Sequence, residues 1–476
     1  MLFNSFNFFF LFFPIVTILY YLLPGKYRWI MLLAASCFFY MCFVPIYILI
    51  LLITILIDYF AAIAIHRAQG KTKKMFLVVS IVSTCVVLLI FKYFNFVNDN
   101  LRFVANSFHW NYSIPMLKLL LPIGLSFHTF QSLSYVIEVY RGNQKPEPHF
   151  GIYSLYVMFY PQLVAGPIER PQNMLHQFHE HHNFSYDNVT QGLKRMMWGF
   201  FKKIVIADRA AIYVNAVFNN YQHHNGTSLA LGVLLFAFQV YCDFSGYSDI
   251  ALGSAQVMGF TLMTNFNRPY FSKNLTEFWR RWHISLSSWF NDYLFSPLVV
   301  AYRDWGKFGV VLALMITFCV SGLWHGAGWT FIVFGLFHGA ALVYDFLSKK
   351  FRKTLSKNTP AFIYNGLSII LSFAFLNFTL VFFRSGSFAQ ALTIYQKIFT
   401  QPGKLYWGDY KAIVYSAFFI FILVTIEIFE EYGLFNNFSL YRNNSWLVRR
   451  LTYCLLVVVI ILFGVFDGSQ FIYFQF

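Results

Sequence analysis

The sequence predicts an all-α, polytopic transmembrane bundle, and two observations carry that prediction: an apolar composition and membrane-length apolar runs that recur from one end to the other. Hydrophobic residues make up 58% of the chain and charged residues 11%, with a mean hydropathy of +0.56. Soluble domains average roughly 45–50% apolar and about 25% charged residues, so a water-soluble fold is excluded. Crossing about 30 Å of hydrocarbon takes some 20 residues of helix. Runs of that kind fall near 6–24, 29–43, 46–65, 76–97, 114–137, 228–250, 308–323, 329–347, 361–383, 411–430 and 451–467. The expectation is about 11 spans, with interfacial or re-entrant helices in addition. Leu11 to Leu23 has the apolar core of a signal peptide, but no basic region precedes it and no small-residue cleavage site follows, so it reads as a retained span.

The formal charge of +16 does not point to nucleic acid. The basic residues sit in short loops beside spans, at Lys26-Tyr27-Arg28, Arg67 to Lys74, Arg141 to Lys145, Lys349 to Lys357, and at Arg442, Arg449 and Arg450. The positive-inside rule explains that distribution and places these loops in the cytoplasm, with both termini outside. Between 151 and 307 the pattern is less plain. Gly151 to Ala165 is apolar but too short to span. Gly192 to Arg209 interleaves Lys194, Arg195, Lys202, Lys203 and Arg209 with Met, Trp, Phe and Ile, the pattern of an interfacial helix. Irregular backbone at membrane depth survives only where protein or a wet cavity covers it, so this centre is expected to line a cavity. Six cysteines are scattered singly without CxxC spacing and read as core packing. With no linker and no internal repeat, one domain is assigned to 1–476.

Polar residues inside the centre mark where chemistry could occur, because ionisable groups are costly in a membrane and face a cavity or a partner. Asp243 and Asp249 interrupt an apolar run, and helix capping or salt bridging with arginines of the following loop is the expected explanation ahead of function. Asn265-Phe266-Asn267-Arg268-Pro269-Tyr270 follows, and then Glu277 to Tyr293, in which one continuous helix would place Trp279 and His283 on a shared face and Trp282, Leu286 and Trp289 on another. Arg280 and Arg281 there could bind lipid phosphates, the tryptophans sitting at headgroup level. The sharpest constellation is Ser321-Gly322-Leu323-Trp324-His325-Gly326-Ala327-Gly328-Trp329. Gly326 and Gly328 remove bulk beside the imidazole, and an apolar setting favours the neutral ring that accepts a proton. A packed, hydrogen-bonded core histidine is the alternative. His176, His179, His181 and His182 lack ligand spacing and read as a solvated surface, and no residue set has the spacing of a metal site, a Ser-His-Asp arrangement or a phosphate-cradling loop.

Pro161 to Arg170, Phe278 to Trp289 and Ser321 to Trp329, in this order, closely resemble the membrane-bound O-acyltransferase family, and the surroundings of Tyr293 and of Phe471-Ile472-Tyr473-Phe474 resemble its bacterial branch. That branch includes alginate O-acetyltransferase, peptidoglycan O-acetyltransferase and the D-alanyl transfer protein of teichoic acid. The resemblance implies a multispanning enzyme built around a tunnel, with its catalytic region at about 120–347. It matches His325 to the family's invariant histidine and His283 to its second motif position. It further implies an acyl thioester donor, acetyl-CoA, used as a co-substrate at the cytoplasmic face with no bound cofactor. The acceptor it implies is a cell-surface or exported polysaccharide, reached with a periplasmic or surface acetyltransferase partner, in the bacterial inner membrane.

The residues allow this chemistry. Acyl transfer to a hydroxyl needs a base and a donor that stabilises the oxyanion. His325 is the candidate base, His283 a second polar group that positions or polarises the donor, and Arg280 and Arg281 candidates for the donor entrance because arginine recognises phosphate in a bidentate manner. A covalent acyl-histidine is also chemically open. A transporter or flippase for a lipid-linked glycan or acyl intermediate, and a non-catalytic membrane scaffold, remain as alternatives. The basic loops generate one test: cysteines placed in 67–74 and in 349–357 are expected to resist a membrane-impermeant thiol reagent applied to intact cells, and modification of either from outside would overturn the topology.

Overall fold

A computed structural model describes residues 3, 5–119, 121–164, 166–434 and 445–466. No strand occurs among them, and eight helices are long and apolar enough to cross a membrane, with Asn7–Leu22 as a shorter apolar helix. The chain is an all-α polytopic membrane protein, and it divides into two compact units. Arg442 and Phe471 to Phe474 lie outside the described residues.

The first unit comprises residues 1–193, 251–263 and 326–328. It carries α1 (Phe13–Leu22), α2 (Gly25–Met41), α3 (Ile48–Arg67), α4 (Gly70–Leu88), which continues through a π-turn into α5 (Phe94–Ser107), α6 (Leu125–Arg141), α7 (Phe150–Met158), α8 (Tyr160–Leu163) and α9 (Pro171–Met174). The expected span at 114–137 does not form. Residues 110–119 are not helical, and α6 starts only after Gly124, whose φ of 75° is readily adopted without a Cβ. Pro115 and Pro122 explain the break, since proline lacks the N–H that a helix interior needs. Nor is α6 a lipid-facing helix: Ser126, His128, Thr129, Gln131, Ser132, Ser134 and Glu138 are all buried. The short stretch after it behaves as its length predicts, with α7 buried from Gly151 onward and α8 buried throughout. Two buried carboxylates in this unit are paired internally. Asp58 Oδ1 accepts from Ser80 Oγ at 2.6 Å, and the Glu169 carboxylate accepts from the Met263 N–H at 2.5 Å and from Asn173 Nδ2 at 2.6 Å. Burial raises the Glu169 pKa to about 7.

The second unit comprises residues 194–250, 264–325 and 329–476. α10 (Tyr186–Phe200) leads into it, followed by α11 (Asp208–Asn219), α12 (Gly226–Val257), α13 (Leu275–Arg281), α14 (Ile284–Phe290), α15 (Ser296–Ala301), α16 (Gly306–His325), α17 (Trp329–Leu347), α18 (Lys349–Asn358), α19 (Ala361–Arg384), α20 (Phe388–Thr400), α21 (Tyr410–Tyr432) and α22 (Trp446–Phe463). The interfacial reading of Gly192 to Arg209 is corrected for its second half. Phe201–Ala207 is a π-helical turn with every residue buried, Lys202 and Lys203 included. Lys203 Nζ lies 2.7 Å from Asp208 and 2.6 Å from Asp243, while Asp249 takes Lys202 at 2.5 Å and Arg195 at 3.0 Å. Asp243 and Asp249 are therefore salt-bridge partners, but of the preceding basic segment rather than of the following arginines. Each buried cation has a carboxylate, without which burial of the charge would be prohibitive.

α16 and α17 cross in close contact. A Cβ on Gly322 would collide with the Phe331 carbonyl and one on Gly335 with the Phe318 carbonyl, so only glycine lets these backbones approach. That crossing lies one turn from His325, the last residue of α16, and fixes where its imidazole is held.

Candidate active site

α13 begins with a reciprocal cap. Asn274 Oδ1 accepts from the Glu277 N–H and the Glu277 carboxylate accepts from the Lys273 N–H, both at 2.9 Å. Asp345 of α17 reinforces that end by accepting from the N–H and hydroxyl of Thr276 at 2.9 and 3.0 Å. Seven residues later the helix stops. His283 adopts φ 44° and ψ 55°, in the left-handed region, and α14 begins directly after it. The continuous helix expected over this segment is thus broken, and Trp279 and His283 do not share a helical face.

What breaks it is the strand-like segment containing Asn265. The Ile284 N–H donates to the Asn265 carbonyl and the Asn267 N–H to the Arg281 carbonyl, each at 2.9 Å, so the two segments are stitched on either side of His283. The Asn265 side chain completes the fit. Its Oδ1 lies 3.2 Å from His283 Nδ1 and accepts from the Ser285 N–H at 3.2 Å and the Ser285 hydroxyl at 3.0 Å. An oxygen that already receives the Ser285 N–H is an acceptor, so His283 Nδ1 carries the proton and Nε2 is the acceptor nitrogen of the ring. The imidazole is fully buried, with Phe244 edge-on at 4.6 Å between centroids. Burial pushes its pKa well down and the neighbouring His325 pushes it further, so the ring is neutral near pH 7.

His325 is buried and sits in an aromatic setting: ring centroids of Trp324, Phe383 and Phe334 lie 5.0, 5.4 and 5.9 Å away. Trp324 also stands 5.9 Å from the His283 ring, so one indole flanks both histidines. His325 lines a small, partly open cavity whose other walls are almost wholly apolar, among them Val240, Trp279, Trp282, Leu376 and Phe383. The two histidines selected from the sequence are therefore brought together at one place. The two arginines are not equivalent. Arg281 is clamped 2.7 Å from Glu277 and 2.8 Å from Glu431, whereas Arg280 is exposed.

Two functional candidates escaped the sequence reading. Asn265 was seen only as part of a polar run, and its role depends on a contact eighteen positions away that no local pattern encodes. His338, which also lines the cavity, left a readable trace: an imidazole inside an apolar span followed by glycine, as at His325-Gly326.

Comparison with known proteins bears directly on this arrangement. The profile of the membrane-bound O-acyltransferase family matches residues 146–387. A protein of Pseudomonas aeruginosa named "Probable alginate O-acetylase AlgI" is 36% identical over 402 residues, covering 84% of this chain and 75% of its own. The peptidoglycan O-acetyltransferase of Helicobacter pylori is 31% identical over 100% of this chain and 98% of its own. The teichoic acid D-alanyltransferase of Streptococcus thermophilus is 29% identical over 50% of this chain and 59% of its own. With the profile covering the paired histidines and relatives of 36% and 31% identity running along most of its length, the chain belongs to the membrane-bound O-acyltransferase family and is a multi-pass membrane O-acyltransferase.

Proposed function

We propose that the chain moves an acetyl group from a cytoplasmic thioester, acetyl-CoA, to an extracytoplasmic polysaccharide or to a partner acetyltransferase, across the bacterial cytoplasmic membrane. The observation that carries the reading is the pair of buried histidines flanked by one indole, of which His325 lines an apolar cavity. The names of the relatives support the acetyl group and the glycan acceptor, since alginate and peptidoglycan are both polysaccharides. In this reading the acceptor hydroxyl gives its proton to the neutral His325 imidazole, and its oxygen attacks the thioester carbonyl carbon. The C–S bond then breaks and the departing thiolate takes the proton back. His283, with Nε2 as its acceptor nitrogen, positions the donor by accepting a hydrogen bond. Exposed Arg280 is the better fit to the donor's phosphates, and Arg281 braces α13 through its two carboxylates.

One observation favours a second assignment of roles at the same site. A base oriented by a third group is the usual catalytic arrangement, and His283 has such a group in Asn265. Asn265→Ala separates the two. If His283 positions the donor, the donor KM rises roughly 2–10-fold, the worth of one neutral hydrogen bond, and the pH profile of kcat stays in place. If His283 is the base, kcat falls and its pH profile moves.

The acceptor is tested by mass spectrometry of cell-surface glycans from isogenic strains with and without the protein. The reading expects ester-linked acetyl groups to disappear from one polysaccharide and to return with the wild-type chain. An unchanged glycan acetylation pattern, with the protein present and inserted, would sink it.

A further inference from the structure

Three hydrogen bonds run in series along one wall of the cavity that His325 shares. The Thr379 hydroxyl donates to the Leu376 carbonyl at 2.9 Å. A hydroxyl has a single proton, so towards His338 Nε2, 3.1 Å away, the Thr379 oxygen accepts and Nε2 carries the hydrogen. The indole N–H of Trp279 can only donate, and it points at His338 Nδ1 at 3.3 Å. Both ring nitrogens of His338 are thereby used and its tautomer is determined: neutral, protonated on Nε2. A second proton on Nδ1 would face the indole N–H, so His338 cannot act as a base without releasing Trp279. Trp279 also packs against rings, with the Phe318 and Phe278 centroids at 5.2 and 5.5 Å. His338 on α17, Thr379 on α19 and Trp279 on α13 all line that cavity.

We propose that His338 is a positioning residue that fixes the Trp279 indole as a wall of this cavity, and that the fixed wall makes the site select a short apolar acyl group. The proposal rests on the acyl-transfer reading above. The cavity is apolar apart from its histidines, Thr379 and the Tyr270 hydroxyl, and the hydrogen-bonding groups of His338 and Trp279 are consumed by each other and by Thr379. A polar acyl substituent would compete with those bonds, and the indole is one of the walls that a longer chain would meet. His325 does the chemistry, and His338 sets what reaches it.

The test uses the full chain reconstituted in lipid, with acetyl-, propionyl- and butyryl-CoA as competing donors. Trp279→Phe and His338→Gln each remove the indole–imidazole bond while keeping most of the volume. Each is expected to cut the preference for acetyl over butyryl by about fivefold, the worth of one neutral hydrogen bond. Because both remove the same bond, the double variant should lose no more than the worse single. The amide oxygen of His338→Asn stands where Nδ1 stood and should restore part of the preference, and the pH profile of kcat should match the wild type throughout. Additive losses, an unchanged preference with only less protein in the membrane, or a shifted pH profile in His338→Gln would overturn the proposal. Where the His338 variants fail to insert, Thr379→Val removes the other end of the chain and should move the preference in the same direction. A second readout does not depend on activity. In ¹⁵N-histidine-labelled wild type, the ring signal lost in His338→Gln should belong to a neutral Nε2–H tautomer, and a charged ring or an Nδ1–H tautomer would contradict the proposal. If the wild type transfers no acyl group, the proposed function fails, while the tautomer still decides the assignment of His338.

Discussion

A histidine held in a left-handed backbone conformation is the constraint from which the rest of the site follows. At φ 44° the Cβ of His283 crowds the backbone, and a non-glycine residue there costs about 1–2 kcal/mol. Two backbone hydrogen bonds between the Asn265 segment and the ends of α13 and α14 offset that cost. They also turn α14 away from α13, which is why the imidazole points at Asn265, Phe244 and Trp324 rather than along a helix face shared with Trp279. Trp279, within α13, donates to His338 on α17. One backbone break thus separates the chemical end of the site from the wall of its cavity.

Holding such a break in an apolar environment requires rigid surroundings, and burial of paired charge contributes them. Lys203 between Asp208 and Asp243, and Asp249 between Lys202 and Arg195, join α12 to the π-turn and the helices that flank it. Arg281, just before the break, is gripped by Glu277 from its own helix and by Glu431 from α21. Buried ion pairs add little net stability, since desolvation offsets attraction, but removing one partner leaves an uncompensated charge. Their effect is to make displaced arrangements expensive. Glycines 322 and 335 do the complementary work at α16 and α17, where close backbone contact replaces charge.

Much of this was legible in the sequence because its physics is local. The cost of exposing backbone and charge to hydrocarbon is set residue by residue, so long apolar runs announce α3, α12, α16, α17, α19, α21 and α22 directly. His325 stands out as an ionisable group in the wrong solvent, whereas His283 is singled out only by the family resemblance. The failures have two causes. At 114–137 hydropathy predicts a span, but Pro115 and Pro122 within it remove N–H groups that its helix would need. In Gly192 to Arg209 the alternation of basic and apolar residues predicts an interface, because Asp249, which takes Lys202, and Asp243, which shares Lys203 with Asp208, lie forty or more residues further on. Between Arg280 and Ser285 nothing resembles a helix terminator. The stop is imposed by Asn265, a tertiary contact that overrides local propensity.

The central claim is that the His325 imidazole contributes chemistry and not packing. Specific activity per inserted molecule, measured for His325→Ala, His325→Asn and His325→Gln in reconstituted membranes, tests it most directly. A general base typically contributes about 10²–10⁴-fold in rate, so all three variants should insert and lose at least that much acyl transfer. Near-normal specific activity in any of them, with the loss confined to the amount of folded protein, would contradict the account and leave His283 as the base.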